Sequence, residues 1–111
     1  MVIKMYLKLK NNRIKILEYT TKKDRFKSLK FVLEPIDYGI KIPHKKIAST
    51  YFFCQRVDVC LTDKEDKIIA LYENIKSEKR KLKWKTNNVY FLPLNTSKYL
   101  KIGEKMPLIE K

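Results

Sequence analysis

A chain of 111 residues and 13.4 kDa is the size of one domain, long enough to bury a modest core without disulfides or metal. Hydrophobic residues at 44% and charged residues at 34% exclude a disordered chain of low hydrophobicity. Twenty-six Lys and Arg against twelve Asp and Glu give a net charge of +14, a field that attracts nucleic acid, anionic membrane or acidic protein.

No apolar run approaches the roughly 20 residues that span a bilayer. The opening MVIKMYLKLK is broken by lysines and lacks the apolar middle of a signal peptide, so a cytoplasmic location is expected.

The chain reads mostly as alternation. Ile3 to Lys10 places apolar residues at every second position, Asn11-Asn12 offers a turn tolerant of positive φ, and Arg13 to Ile16 resumes the alternation. This is a hairpin. Thr21 with Asp24 three residues on is a variant capping box, opening a short helix over 22–30 whose Phe26, Leu29 and Leu33 share a face. A strand over 38–42 ends at Pro43, and His44-Lys45-Lys46 form a turn.

Residues 47–62 are the most strand-like stretch, interrupted at Gln55-Arg56 by a bulge or a break into two strands. A polar turn over 62–67 leads back through Ile68 to Tyr72, making a second hairpin. The basic connection 74–85 turns extended where Leu82 and Trp84 alternate with lysines, and a strand over 89–92 ends at Pro93. Asn95 suits a left-handed turn, Thr96 or Ser97 can cap a one-turn helix, and Gly103 fits the turn after it. Met106 to Ile109 reads as a closing edge strand, where a proline is tolerated. The sum is a single mainly-β domain over 1–111, a small antiparallel β-sandwich of jelly-roll type or a partly closed barrel with two short helices. Parallel βαβ architecture is disfavoured, because no long crossover helix is present.

Several chemistries lack their parts. Gly39 and Gly103 are the only glycines, so phosphate-cradling glycine loops are absent. His44 is the only histidine and sits in a turn, with no nucleophile motif beside it. Cys54 and Cys60 on one extended segment would stand about 20 Å apart, too far for a disulfide. Two reduced, mostly buried thiols and no metal or other cofactor are expected. Asp63-Lys64-Glu65-Asp66 lacks the glycine and terminal glutamate of a calcium loop and reads as turn chemistry.

Two candidate sites remain. Within 76–85, six cations including Lys76 lie beside one indole, and of these Lys79, Arg80, Lys81, Lys83 and Lys85 could neutralise phosphates while Trp84 stacks on a base. Equally, Leu82 and Trp84 could anchor a solvated loop to the core with the lysines reaching outward. The predominance of lysine over arginine, with only four arginines, also fits a charge set by composition, since arginine's planar fork suits phosphate and base recognition better. The second candidate is a ligand or enzymatic site built on Arg25, Thr50 and Asp58. Asp58 lies between Val57 and Val59 in an apolar strand, and could instead face solvent or cap a neighbouring backbone group.

From Ile47 onward the order of features resembles domain-of-unknown-function family 192, an uncharacterised ancient conserved region. Thr50-Tyr51-Phe52-Phe53 is similar to that family's Thr-Phe-Phe-Met, and Val57-Asp58-Val59 to its Ile-Asp-Val. Leu61, Asp63 and Ile68-Ile69 follow in order; Leu92-Pro93-Leu94-Asn95 resembles its Leu-Pro-Ala-Gly, and Ile102-Gly103-Glu104 its closing Ile-x-x-Gly-Asp. Upstream, Asp24-Arg25 and Leu29 resemble its Glu-Arg and Gly-Leu-Met. Ser49, Phe53 and Phe91 depart from the family's His, Met and Glu, so a site using those polar groups would be lost here. The resemblance implies a small β-rich domain and supplies no reaction.

The leading expectation is therefore a non-enzymatic binding domain whose basic segment meets a polyanion such as RNA. A small-ligand or enzymatic site around Asp58 is the alternative. A third is a protein-interaction domain recruiting a partner along the edge strand at 106–109.

Overall fold

The computed structural model describes residues 5–110. Ile3 and Lys4 of the expected first strand lie outside them. The chain runs β1 (Met5–Lys8), β2 (Arg13–Glu18), α1 (Lys22–Lys27), β3 (Gly39–Pro43), β4 (Ile47–Ser49), β5 (Val57–Thr62), β6 (Ile68–Ile75), β7 (Arg80–Leu82) and β8 (Asn88–Leu92). A one-turn 3₁₀ helix (Ser97–Tyr99) and β9 (Leu108–Glu110) complete it.

Seven strands form one sheet in the order β6-β5-β8-β3-β2-β1-β9, and β4 pairs with β7 in a separate ribbon. The mainly-β class with two short helices is what the sequence implied. The large sheet is mixed and does not close into a barrel. Its one parallel junction, β2 with β3, pairs Ile16 with Gly39 and Leu17 with Ile40. A parallel pair needs a crossover of a dozen or more residues. The segment between Glu18 and Gly39 supplies that length although α1 is only six residues long.

Alternation along the central strands divides the apolar residues between two faces. Val57, Val59 and Leu61 of β5 with Val89 and Phe91 of β8 join Ile40, Ile42, Leu29 and Phe53 in one core. Cys60, Tyr90 and Leu92 face the other way, onto Leu7, Ile16, Leu100 and Met106. Because both faces are covered, β5 and β8 are buried along their whole length. Gly39 lets β3 pass close to the side chains of β2 and β8, which a larger residue would push aside. A Cβ there would stand 2.7 Å from Ile16 Cδ1 and 2.8 Å from Leu92 Cδ2.

Local signals acted mostly as expected. Thr21 Oγ1 accepts the Asp24 N–H at 3.1 Å, capping α1. Asn95 and Gly103 adopt φ of +72° and +98°, and β9 closes the sheet as an edge strand on β1. The first hairpin differs: Leu9 N–H donates to Asn12 O across a four-residue loop, and neither asparagine takes a positive φ. The helix also stops early, at Ser28 with φ +44°, so Leu29 enters the core while Phe26 and Leu33 remain exposed. A shared helical face therefore does not form. The break in 47–62 is longer than expected, spanning 50–56 and leaving Tyr51 and Phe52 outside.

The cysteines carry no disulfide. Cys60 is buried, its Sγ 3.6 Å from Met106 Sδ, and burial raises its thiol pKa above the ordinary range. Cys54 is exposed rather than buried. No helix among the described residues is long and apolar enough to cross a membrane.

Candidate nucleic-acid interface

The β4–β7 ribbon carries the basic segment. Ile47 pairs with Leu82, Ala48 with Lys81 and Ser49 with Arg80. Thr50, at the end of β4, holds the turn that enters β7. Its hydroxyl donates to Lys76 O at 2.8 Å and accepts from Lys79 N–H at 2.9 Å. The main chain adds two more ties: Thr50 N–H donates to Lys79 O, and Glu78 N–H to Thr50 O. Thr50 is thus a buried clamp that fixes where Lys79 and Arg80 emerge, and both of those side chains are exposed.

At the far end of the ribbon stands Trp84, 84% exposed, with Leu82 also outside the core. The anchoring role is therefore not the one these residues take. β7 ends at Leu82, and Trp84 falls within the turn that Thr86 closes by donating its N–H and hydroxyl to Lys83 O, with Lys85 left-handed at φ +72°. Trp84, Leu82, Lys83, Lys85, Lys46 and Thr86 line a groove of about 680 Å³. Lys81 lies apart from it, its ammonium 5.0 Å above the Tyr72 ring.

The basic surface continues from Lys46 to Lys45 and on to α1. Arg25 Nη2 donates to His44 O at 3.0 Å, which ties α1 to the turn before β4. Lys45 is held below the ordinary lysine pKa, first by partial burial and then by the charges of Arg25 and Lys30. Three cations are thus gathered where no carboxylate answers them by an ion pair. Among the described residues the ion pair formed is Lys41–Asp66 at 3.3 Å, elsewhere on the sheet.

Arg25, Thr50 and Asp58 do not converge on one another. Asp58 is buried, and its two oxygens accept from Asn74 N–H and Ser97 N–H, each at 2.9 Å. The carboxylate joins β5 to the end of β6 and to the 3₁₀ turn. A cavity of about 350 Å³ lies beside it, lined also by Glu73, Asn74, Leu94 and Asn95.

One constellation escaped the sequence. Asp66, in the polar turn, has φ +63° and folds back over the sheet. It accepts from Thr62 Oγ1 at 2.8 Å, from Tyr90 OH at 2.8 Å and from Lys41. Asn88 extends the cluster by donating to Thr62 Oγ1 and Asp63 O. Burial, then the Asp66 charge and hydrogen bond, push the Tyr90 phenol well above its ordinary value, so it stays a donor. Asp63 alone behaves as a turn residue, accepting from Glu65 and Lys67 N–H, which lowers its carboxyl pKa. The signal for Asp66 was a polar residue on each of three apolar strands, Lys41, Thr62 and Tyr90. It becomes readable only with the register that sets Lys41 and Cys60 on either side of Tyr90.

Two solved structures share this fold. One is a protein of unknown function from Novosphingobium aromaticivorans DSM 12444, with a TM-score of 0.75 and 13% identity over 97% of this chain and 84% of that one. The other is a provisionally named transcription regulator from Sinorhizobium meliloti 1021, with a TM-score of 0.74 and 13% identity over 96% and 91%. No protein-family model and no curated protein matches the chain.

Proposed function

We propose that the domain is a non-enzymatic binding module that holds a single-stranded polyanion, RNA in the first instance, across the β4–β7 ribbon. The observation that carries this reading is the exposed Trp84, set among Lys46, Lys83 and Lys85 along a groove of about 680 Å³. An aromatic face flanked by ammonium groups meets the two needs of single-strand binding, a stacking platform and neutralised phosphates. Lys79 and Arg80 extend the cationic surface at the start of β7, and Arg25, Lys30 and Lys45 extend it across the turn before β4. The fold neighbour named as a transcription regulator agrees in kind with a nucleic-acid partner.

Kinship with family 192 is part of the same proposal. Asn95 stands where that family has a glycine, and its φ of +72° is one a glycine would take. Asp58, within the Val-Asp-Val segment, joins three elements of the fold. The shared motif then belongs to the scaffold, and the basic ribbon is what this chain adds to it.

The sole tryptophan makes the test direct. Titration with short single-stranded RNA should quench Trp84 fluorescence, and log affinity should fall linearly with log salt in proportion to the phosphates contacted. Stacking contributes about 1–3 kcal/mol per base, so Trp84→Ala should weaken binding roughly 5- to 150-fold. Lys79→Glu with Arg80→Glu should weaken binding to every sequence and flatten the salt slope. Unchanged affinity in both variants, or binding no better than to heparin, would sink the assignment.

A further inference from the structure

A second surface, distinct from the ribbon groove, is built from apolar side chains that folding does not use. Phe26, Phe31 and Leu33 are 75%, 70% and 77% exposed, and Phe52 is 57% exposed. Phe31 and Phe52 meet, with ring centroids 5.7 Å apart, and Phe31 N–H donates to Phe52 O at 2.9 Å. Both have left-handed backbones, φ +62° and +66°. That conformation is disfavoured for a bulky L residue and suits Gly or Asn. The neighbouring Phe53 turns inward and packs edge-on against Phe91 at 5.0 Å. The left-handed step therefore separates one core phenylalanine from one displayed to solvent.

The left-handed backbone costs stability and the rings lie largely outside the core, so most of their apolar surface is free to meet something outside the molecule. These side chains project from the short helix α1 and from short irregular segments and are each more than half exposed. Several such side chains without polar atoms fit a deformable apolar medium, which needs no matching pockets. Their surroundings are cationic. Lys22, Lys23, Lys27 and Lys30 come from α1 and the residues after it, and Lys76 from the turn clamped to Thr50, two residues before Phe52. Glu34 and Glu78 are the carboxylates in the two flanking segments that oppose them, alongside Asp24 in α1. Lys30 lies with its ammonium 4.3 Å above the Phe26 ring, keeping charge and apolar surface side by side.

We propose that Phe31 and Phe52, with Phe26 and Leu33, insert into the interface of an anionic lipid bilayer while the surrounding lysines meet its headgroups. Charge complementarity selects anionic over zwitterionic lipid, since each lysine near the surface gains from a negative potential and from nothing comparable on a neutral one.

The test uses the full chain with vesicles of phosphatidylcholine alone or mixed with phosphatidylserine. Asparagine tolerates the left-handed backbone, so Phe31→Asn with Phe52→Asn removes the rings without threatening the fold. Wild type should sediment with the phosphatidylserine vesicles only, and the double variant should bind about tenfold or more weakly. Its RNA affinity should be unchanged, which separates failure here from failure of the ribbon assignment. Phe31→Trp in a Trp84→Phe background should show a blue-shifted emission on the same vesicles. Three results would overturn the proposal: no sedimentation of wild type, equal sedimentation of the double variant, or capture of an acidic peptide but no vesicles.

Discussion

Removal of the Asp58 carboxylate should damage the fold, not a reaction. Its oxygens accept from Ser97 N–H, which is buried, and from Asn74 N–H, which is partly reached by water. Asp58→Ala leaves both donors without an acceptor. An unsatisfied buried donor costs about 1–3 kcal/mol, and the partly hydrated one less, so the expected loss is roughly 2–4 kcal/mol. Asp58→Asn keeps one acceptor but turns an NH₂ toward the other N–H, for a loss of about 1–2 kcal/mol. Domains of this size have on the order of 5–15 kcal/mol in total, so the alanine variant should be folded but much weakened.

Urea denaturation followed by circular dichroism would read this directly. With a slope of about 1–3 kcal/mol per molar urea, a 3 kcal/mol loss moves the midpoint by about 1–3 M. The slope itself should not change, and the order should be wild type, Asn, Ala. If Asp58→Ala unfolds within about 0.5 kcal/mol of wild type, the carboxylate is no structural tie. The cavity shared with Glu73 and Asn95 would then become the better place to seek a ligand.

Thr50→Val should lower stability by about 1–3 kcal/mol through two lost hydrogen bonds, speed hydrogen exchange at the Lys79 amide, and weaken RNA binding although Thr50 touches no ligand. Tyr90→Phe should cost about 1–2 kcal/mol. Combined with Thr62→Val in a double-mutant cycle it should be non-additive by at least about 0.5 kcal/mol, since both donors serve Asp66. Lys45→Met should stabilise the domain by about 0.5 kcal/mol or less after solvent screening. Because the Lys45 pKa is depressed in the folded state, the unfolded chain binds the extra proton. The penalty is full at neutral pH and is relieved as pH rises through the folded value toward the ordinary lysine range. The advantage of Lys45→Met should therefore vanish in alkaline denaturation experiments, and an advantage that grows with pH would contradict this electrostatic account.

What could be read in advance follows the range of the interactions involved. The hairpins, the Thr21 cap, Asn95 and Gly103 depend on residues a few positions apart, and the sequence holds all the terms. The closing edge strand, expected over 106–109 and found as Leu108–Glu110, was legible as an apolar segment at the end of the alternation, and Pro107 lies just before it. The parallel pairing of β2 with β3 was not, because its crossover is mostly irregular and only packing of Leu29, Val32 and Ile36 against the sheet decides its path. The helix face was misread for a related reason: helical spacing placed Phe26 with Leu29, but the left-handed Ser28 ended the helix between them. At the candidate site, the basic segment was visible as composition, yet whether Trp84 is core or platform depends on a turn at Lys85 that its neighbours do not dictate. Asp66 was hidden by its context, since a carboxylate among turn residues looks the same whether it faces water or Tyr90.

The division between scaffold and surface accounts for where the unusual backbone lies. The central strands β5 and β8 are covered on both faces, so their residues are committed to packing and leave little freedom for a ligand. The β4–β7 ribbon and the segments 28–34 and 50–56 lie outside the main sheet. With the residues flanking β7 they hold Ser28, Phe31, Phe52, Glu78 and Lys85, five of the non-glycine residues with positive φ. Strain of this kind, about 1–3 kcal/mol per residue, persists only where surrounding structure over-determines it. Here the constraints are identifiable: Thr50 holds Glu78 and Lys79, the Lys30–Phe53 bridge holds Phe31 and Phe52, and Arg25 holds His44. Beside these constraints stand residues displayed to solvent, Lys79 and Arg80 next to the Thr50 clamp and Phe31 and Phe52 next to the Lys30–Phe53 bridge. A rigid sheet that carries strained, clamped display loops is the arrangement expected of a binding module, because clamping the loops before contact reduces the entropy lost on binding.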